Sequence, residues 1–339
     1  MKKIAAITAF AIYFSFLPLI CIQGNAAHEK KRLLIINSYH KGYEWSDIIE
    51  DVIVEYFNKY APGEVEIKIT YMDTKRNNSE KFAQNAGLEM KKLINSWKPD
   101  VVIGSDDSAS KYVIAPYFLN GNIPFVFCGL NDDPASYGFP GTNVTGLRES
   151  DLVEPLYNHL KRYARGKRLG YLTADKDTQR VMAEVNEKQI GQKFDKIYFI
   201  KNFEEWKKYF LIIQNEVDML LMQDVCVVND WDSAEAKKFM RQNIKIPNGA
   251  TADVMREYVL ICISKSSKEH GRWAAEAALK ILKGAKPTDI PIVVNKEGYL
   301  ILNLILADKL NIVFSPTMLR AAERIIGETV DEDKMNSNR

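Results

Sequence analysis

Short apolar runs of strand length alternate with amphipathic segments of helix length along most of the chain. The runs are too short for buried helices, and the segments between them carry apolar residues at helical spacing. This alternation is typical of a parallel β-sheet that is covered by helices on both faces. In the first half it predicts strands at 33–36, 65–71, 101–103 and 125–128, separated by helices at 46–60, 79–97 and 108–119.

A second unit of the same kind begins near Gly146. Strands are predicted there at 168–172, 196–200 and 219–222, and helices at 178–194, 203–216 and 234–241. Four more elements follow, namely a helix at 271–282, a strand at 290–294, a helix at 300–310 and a last helix that Ser315 and Pro316 open and that runs to 326. We therefore predict an α/β fold with two doubly wound lobes, since roughly 310 residues exceed one core.

The order of these elements predicts the domain boundaries. Residues 27–145 with about 262–290 form the first lobe, and residues 146–261 with about 291–327 form the second. The glycine-rich segment 138–146 is interpreted as a crossing between the lobes, because glycine tolerates the backbone changes of a hinge. Residues 328–339 form a polar tail.

The first 26 residues have the pattern of a secretory signal peptide. Lys2 and Lys3 precede a long apolar stretch, and Gly24 and Ala26 supply the small residues of a cleavage site. The pattern predicts an exported protein of the periplasm. An uncleaved anchor and a lipid anchor at Cys21 are less favoured alternatives, because Pro18 and polar residues interrupt the apolar run and no small residue precedes the cysteine.

Charge and cysteine content narrow the classes of partner. Loss of residues 1–26 leaves 44 basic against 44 acidic residues, so we expect neither nucleic acid nor an anionic membrane surface as a partner. Cys128, Cys226 and Cys262 remain, which permits at most one disulfide, and free thiols beside apolar runs are the favoured reading.

Polar and aromatic side chains follow the predicted strands, and in open parallel sheets ligands bind outside the carboxyl ends of the strands. Carboxylates there suit a ligand ammonium group, aromatic rings suit an apolar body, and the 105–108 loop at a helix start suits an anionic group. A zwitterion such as an amino acid combines all three. The alternative is that these residues only cap helices or meet solvent. The candidate ligand-binding residues are Ser38, Tyr39, His40, Tyr43, Trp45, Ser105, Asp106, Asp107, Ser108, Asn131, Asp132, Asp175, Thr178, Gln223, Asp224 and Asp253.

Motifs of catalysis are missing from the sequence. It holds no G-x-S-x-G elbow, no glycine-rich phosphate loop, no H-E-x-x-H and no paired C-x-x-C, and its four histidines are scattered. We therefore predict no enzyme, no cofactor and no metal site. The adjacent pairs Asp106-Asp107 and Asp132-Asp133 leave a carboxylate-dependent hydrolase or lyase as a distant alternative.

Several stretches together resemble a known family. NSYHKGYEW, CGLNDDP, GTNVTG, HGRWAAEAALKILKGAKPTDIPI and LNLILADKLNIVFSPTMLRAA are similar to the substrate-binding proteins of ABC transporters, of the tryptophan/tyrosine type. The resemblance implies a type I periplasmic binding protein with two Rossmann-like lobes, joined by three crossing segments, that close on a small ligand. It also implies an amino-acid ligand, an aromatic one included, and a membrane permease as partner. We further expect a monomer.

The same resemblance leaves a second function open. Asn311 stands where that family usually has glycine, and Ser264 to Ser267 replace its tyrosine-rich segment. The SYHKGYEW opening is similar to a branch that is also found in the extracellular parts of signalling proteins. A periplasmic protein that reports ligand occupancy to a membrane sensor is therefore the alternative to transport.

Overall fold

The structure is a computed structural model that describes residues 30–327, so the predicted signal peptide and the whole polar tail lie outside the described residues. Its strands are β1 (Lys31–Asn37), β2 (Val65–Tyr71), β3 (Val101–Ser105), β4 (Phe125–Leu130), β5 (Val144–Arg148), β6 (Leu169–Ala174), β7 (Lys196–Ile200), β8 (Met219–Gln223), β9 (Asn248–Ala250), β10 (Ile261–Lys265), β11 (Val293–Val294), β12 (Gly298–Asn303) and β13 (Arg324–Ile326).

Helices separate most of these strands. They are α1 (Glu44–Tyr60), α2 (Glu80–Trp97), α3 (Asp106–Ala109), α4 (Ala115–Tyr117), α5 (Val153–Leu160), α6 (Asp177–Ile190), α7 (Phe203–Ile213), α8 (Ser233–Asn243), α9 (Ser267–Leu282), α10 (Leu304–Lys309) and α11 (Pro316–Ala321). A π-helical stretch, Ser110–Ile114, joins α3 to α4.

The strands form two sheets, one in each lobe. The first has the order β11-β5-β4-β3-β1-β2 and is parallel throughout. The second has the order β13-β12-β10-β9-β8-β6-β7, and its strands are parallel except where β10 pairs antiparallel with β12. Two doubly wound lobes are thus present, as the alternation of apolar runs predicts.

The central strands are buried on both faces because helices cover both. In β1, Leu33 and Ile35 pack against a core that α1 and α9 complete. Their neighbours Leu34 and Ile36 point the other way, into a core shared with α2 and the π-helical stretch. A strand covered on both sides must be continuously apolar, which is why β1 reads as an unbroken run in the sequence.

The chain crosses between the lobes three times. The first crossing follows β5 at residues 149–152, the second follows β10 at Ser266, and the third lies at 295–297 between β11 and β12. These positions correct the predicted boundaries. Segment 138–146 is not a crossing, because it leads into β5 of the first sheet, and β10 belongs to the second sheet rather than to the first lobe.

Two predicted helices near the end of the chain are wrong in part. Residues 298–303 form β12, and only 304–309 are helical. The last helix ends at Ala321, after which β13 pairs with β12. Both segments have helical apolar spacing, but β12 pairs with β10 and β13 pairs with β12, which gives their backbone groups partners in the sheet. This tertiary context overrides local propensity.

The packing of α1 on α9 gives a test of the first lobe. A Cβ atom on Gly271 would lie 2.7 Å from the Ile49 carbonyl oxygen. Alanine usually stabilises a helix relative to glycine, but here the two helices must move apart, so we expect Gly271→Ala to lower the free energy of unfolding by about 1–3 kcal/mol. Urea denaturation measures it, with Gly327→Ala as control because that site is open. A Gly271→Ala protein as stable as the wild type would contradict this packing.

Candidate functional site: the cleft between the lobes

A cavity of about 580 Å³ lies between the lobes, a size typical of small-molecule sites. Residues after the carboxyl ends of strands from both sheets line it, together with the crossing segments and one face of α6. The lining residues are Tyr39, Tyr43, Trp45, Lys75, Asp106, Asn131, Arg148, Glu149, Ser150, Asp151, Met182, Val185, Gln189, Asp224, Thr251, Ala252, Asp253, Ser264 and Lys265.

Aromatic rings form the rim of the first lobe. Tyr39 and Tyr43, called here the rim tyrosines, meet edge to face with their centroids 5.0 Å apart. The Lys75 ammonium lies 4.8 Å and 5.1 Å from the two ring centroids. Trp45, in the first turn of α1, is also partly buried, and its ring centroid lies 5.3 Å from that of His270. The loop between β1 and α1 thus offers an apolar and π-rich wall.

Asp106 carries the most unusual carboxyl group of the cleft. It is 2% exposed, and its backbone has a φ of 65°, a left-handed conformation at the start of α3. One carboxyl oxygen, Oδ1, accepts a hydrogen bond of 3.0 Å from Trp45 Nε1. The other, Oδ2, is buried and has no partner among the described residues. An oxygen in that position has lost water without gaining a donor.

Neighbouring backbone holds Asp106 in place. Ser38 Oγ donates to the Ser105 carbonyl oxygen and accepts from the Ala109 amide at 2.9 Å, which ties the start of α3 to the end of β1. Gly129 comes close from β4, where a Cβ atom would lie 2.9 Å from Asp106 Oδ1. The carboxyl group is therefore fixed before any ligand arrives.

The surroundings favour the neutral form of Asp106. Burial raises the pKa of its carboxyl well above the usual value, the charge of Glu149 raises it further, and the hydrogen bond from Trp45 opposes them. His270 offers no compensating charge, because burial lowers its pKa to about 3 and Lys265 adds to that shift. Its Nδ1 instead accepts a hydrogen bond of 3.0 Å from the Gly129 amide.

An ionic cluster links the crossing segments beside the cleft. Lys265 Nζ lies 2.5 Å from a Glu149 oxygen and 2.9 Å from an Asp151 oxygen. Burial by itself lowers the pKa of Lys265, but the two carboxylates outweigh burial and raise it, so the lysine stays charged. Ser150 donates its backbone N–H to Asn295 at 2.6 Å, which ties the first crossing to the third.

The second lobe supplies an apolar wall and two more carboxylates. Met182, Val185 and Gln189 lie on one face of α6. Asp224 follows β8 and has a φ of 46°. Its Oδ2 accepts a hydrogen bond of 2.9 Å from Gln179 Nε2, and burial raises the pKa of its carboxyl. Asp253 is paired with Arg256 and is the less available of the two acids.

Seven of the predicted site residues line the cleft, namely Tyr39, Tyr43, Trp45, Asp106, Asn131, Asp224 and Asp253. The other nine do not line it. They are Ser38, bonded to backbone; His40, beside Asp73; Ser105, bonded to Asn37; Asp107, bonded to Asn131; Ser108, bonded to Thr74; Asp132, bonded to Tyr137; Asp175, paired with Arg180; Thr178, exposed on α6; and Gln223, bonded to Thr251.

Twelve lining residues are not among the predicted site residues, namely Lys75, Arg148, Glu149, Ser150, Asp151, Met182, Val185, Gln189, Thr251, Ala252, Ser264 and Lys265. Many of them follow β5 or end β10, two strands that the sequence reading did not assign. The spacing of Met182, Val185 and Gln189 along one helix face was a usable signal for the α6 wall.

The described residues contain neither a candidate metal site nor a disulfide. Within residues 30–327, no group of three or more His, Cys, Asp or Glu side chains could hold a metal ion. Cys128, Cys226 and Cys262 are free thiols. In the same span, no helix has the length and apolar character that membrane crossing requires.

Comparison with known families decides the class of the protein. The model of the family described as ABC transporter substrate binding protein matches residues 61–326. The chain belongs to this family. Family and fold are those of non-enzymatic binding proteins, and membership implies a small-molecule ligand and the permease of an ABC transporter as partner. No curated protein sequence matches the chain.

Solved structures share the fold at low sequence identity. A ligand-free, open substrate-binding protein with adhesive properties from Clostridium difficile has a TM-score of 0.68 at 18% identity, over 88% of this chain and 100% of that one. A domain from Streptococcus pneumoniae in complex with L-Trp has a TM-score of 0.53 at 19% identity, over 88% of this chain and 100% of that one. A substrate-binding protein from Desulfitobacterium hafniense in complex with Leu has a TM-score of 0.55 at 10% identity, over 77% of this chain and 86% of that one. The predicted fold, that of type I periplasmic binding proteins, is confirmed.

Proposed function

We propose that this protein is exported, encloses a small amphipathic ligand with an ammonium group between its lobes, and presents it to the permease of an ABC importer. The favoured ligand class is an amino acid with an aromatic or large apolar side chain. The observation that carries the proposal is the unpartnered Oδ2 of Asp106, a buried residue that lines a cleft with an aromatic wall.

An ammonium group would supply the cationic partner that Asp106 lacks in the cleft. Ionising a buried carboxyl without a counter-ion is costly, and a cation within hydrogen-bond distance offsets that cost. Among the described residues, no lysine, arginine or histidine forms an ion pair with it. The Trp45 ring beside it adds a surface on which a cation or an apolar group binds.

The apolar part of the ligand has walls from both lobes. The rim tyrosines face it from the first lobe, and Met182 and Val185 face it from the second. A ligand that touches both walls binds a closed arrangement of the lobes better than an open one, so binding shifts the population toward closure. Among similar proteins, two hold L-Trp and Leu, which agrees with an amino acid of this kind.

A thermal-shift screen of the mature chain tests the ligand class. Aromatic and branched amino acids should raise the melting temperature, corresponding to roughly 2.7 kcal/mol at a hundredfold excess over the dissociation constant. Sugars, nucleosides and dicarboxylates serve as controls and should leave it unchanged. Small-angle scattering with the best amino acid should show a smaller radius of gyration. Stabilisation by sugars alone would refute the amino-acid proposal, and binding without compaction would refute closure.

A further inference from the structure

The basic side chains that line the cleft differ in whether neighbouring groups already neutralise their charge. Lys265 is neutralised by Glu149 and Asp151 at 2.5 Å and 2.9 Å, so it is not available to an anionic ligand group. Lys75 is exposed and lies over the rim tyrosines, where an anion would remain in water. Neither lysine offers a free positive charge inside the cleft.

Arg148, in contrast, lines the cleft without an acidic partner among the described residues. It is the last residue of β5, and register with Leu130 and Val294 fixes its backbone. Its side chain is partly buried, its Nε is buried without a hydrogen-bond partner, and no acidic residue of the 30–327 span forms an ion pair with it. A guanidinium is charged at every physiological pH, and a buried donor without a partner costs free energy.

We infer that Arg148 binds the carboxylate of the ligand and thereby selects amino acids over amines. This inference rests on the proposed function and specifies it. A guanidinium presents paired N–H donors whose geometry matches a carboxylate, and such charge-assisted hydrogen bonds are stronger than neutral ones. Asp106 supplies a carboxyl oxygen without a partner in the same cavity, and a ligand ammonium group would favour its ionised form. A guanidinium and a carboxyl group, both without partners, are together the complement of a zwitterion.

The test compares an amino acid with its amide, which keeps the ammonium group and side chain but lacks the negative charge. The probe is the amino acid that binds the wild type most tightly in the screen above, and calorimetry measures both dissociation constants. We expect the amide to bind the wild type at least tenfold more weakly. Arg148→Gln should weaken binding of the amino acid by roughly ten- to a hundredfold and change binding of the amide by less than about threefold.

Arg180→Gln is the matched control, because Arg180 pairs with Asp175 outside the cleft, and it should leave both affinities unchanged. Equal losses for amino acid and amide in Arg148→Gln would show a structural role and overturn the inference. So would a wild type that binds both equally well, a comparison that does not depend on any variant folding. A wild type that binds no amino acid at all would overturn the proposed function itself, and this inference with it.

Discussion

Replacing Asp106 by asparagine should weaken binding of the amino-acid ligand by roughly a hundred- to a thousandfold, the cost of removing one partner of a buried charge pair. Asparagine keeps an oxygen that can accept from Trp45, and it tolerates a positive φ as well as aspartate does. The substitution therefore removes the negative charge with little change in shape. Calorimetry with the wild-type ligand measures the loss.

The fold should survive this substitution. The charged form of Asp106 is unfavourable in the empty cleft, so the variant should be as stable to urea as the wild type or more stable. Asp175→Asn makes the same chemical change on a carboxylate outside the cleft and should bind normally. An Asp106→Asn protein that is fully folded and binds with wild-type affinity would rule out the ammonium site.

The sequence could predict the two lobes and the cleft residues of the first lobe, because both follow from local patterns. Continuous apolar runs such as β1 identify strands buried on both faces, and the residues after them lie at one sheet edge. Tyr39, Trp45 and Asp106 were found in this way. The crossing residues obey the same rule, since Arg148 ends β5 and Lys265 ends β10. They were missed because polar residues or glycine interrupt the apolar runs of both strands, whose sequences are VTGLR and ICISK.

Which strand-end residues reach the ligand could not be predicted. Ser38, Ser105 and Asp107 stand at the predicted sheet edge, but their polar atoms bond to backbone or side chains of the first lobe. A tight turn into a helix leaves backbone groups that need partners, and neighbouring hydroxyls and carboxylates provide them. The sequence does not distinguish a polar side chain that hydrogen-bonds within the protein from one that faces the cavity.

Ligand binding should release a proton from Asp106 at pH values below the raised pKa of the empty site, and affinity should rise with pH over that range. Without ligand, Asp106 is buried beside Trp45, next to Asp107 and near Glu149, with the neutral His270 behind the indole. Burial raises its pKa well above the usual value, so the carboxyl keeps its proton to a higher pH than an exposed aspartate does. An ammonium group at Oδ2 favours the carboxylate, so the proton leaves when the ligand arrives. Affinity should increase by up to tenfold per pH unit below the pKa of the empty site, and level off above it.

The stability of the ligand-free protein should change with pH in the opposite direction. An acid whose pKa is higher in the folded state than in the unfolded chain stabilises the fold at low pH, and that stabilisation is lost as pH rises from about 4 through the folded pKa. Asp106→Asn should remove this part of the pH dependence. Urea titrations of the two proteins across that range would detect it.

Calorimetry in two buffers of different ionisation enthalpy measures the proton directly. The wild type should show a binding heat that differs between phosphate and Tris, because the released proton is taken up by the buffer. Burial also raises the pKa of Asp224, so Asp224→Asn identifies the source: if Asp106 releases the proton, this variant keeps the difference. Asp175→Asn should keep it too. A wild-type heat that is the same in both buffers would mean that Asp106 is already ionised, and that the empty cleft stabilises its charge in some other way.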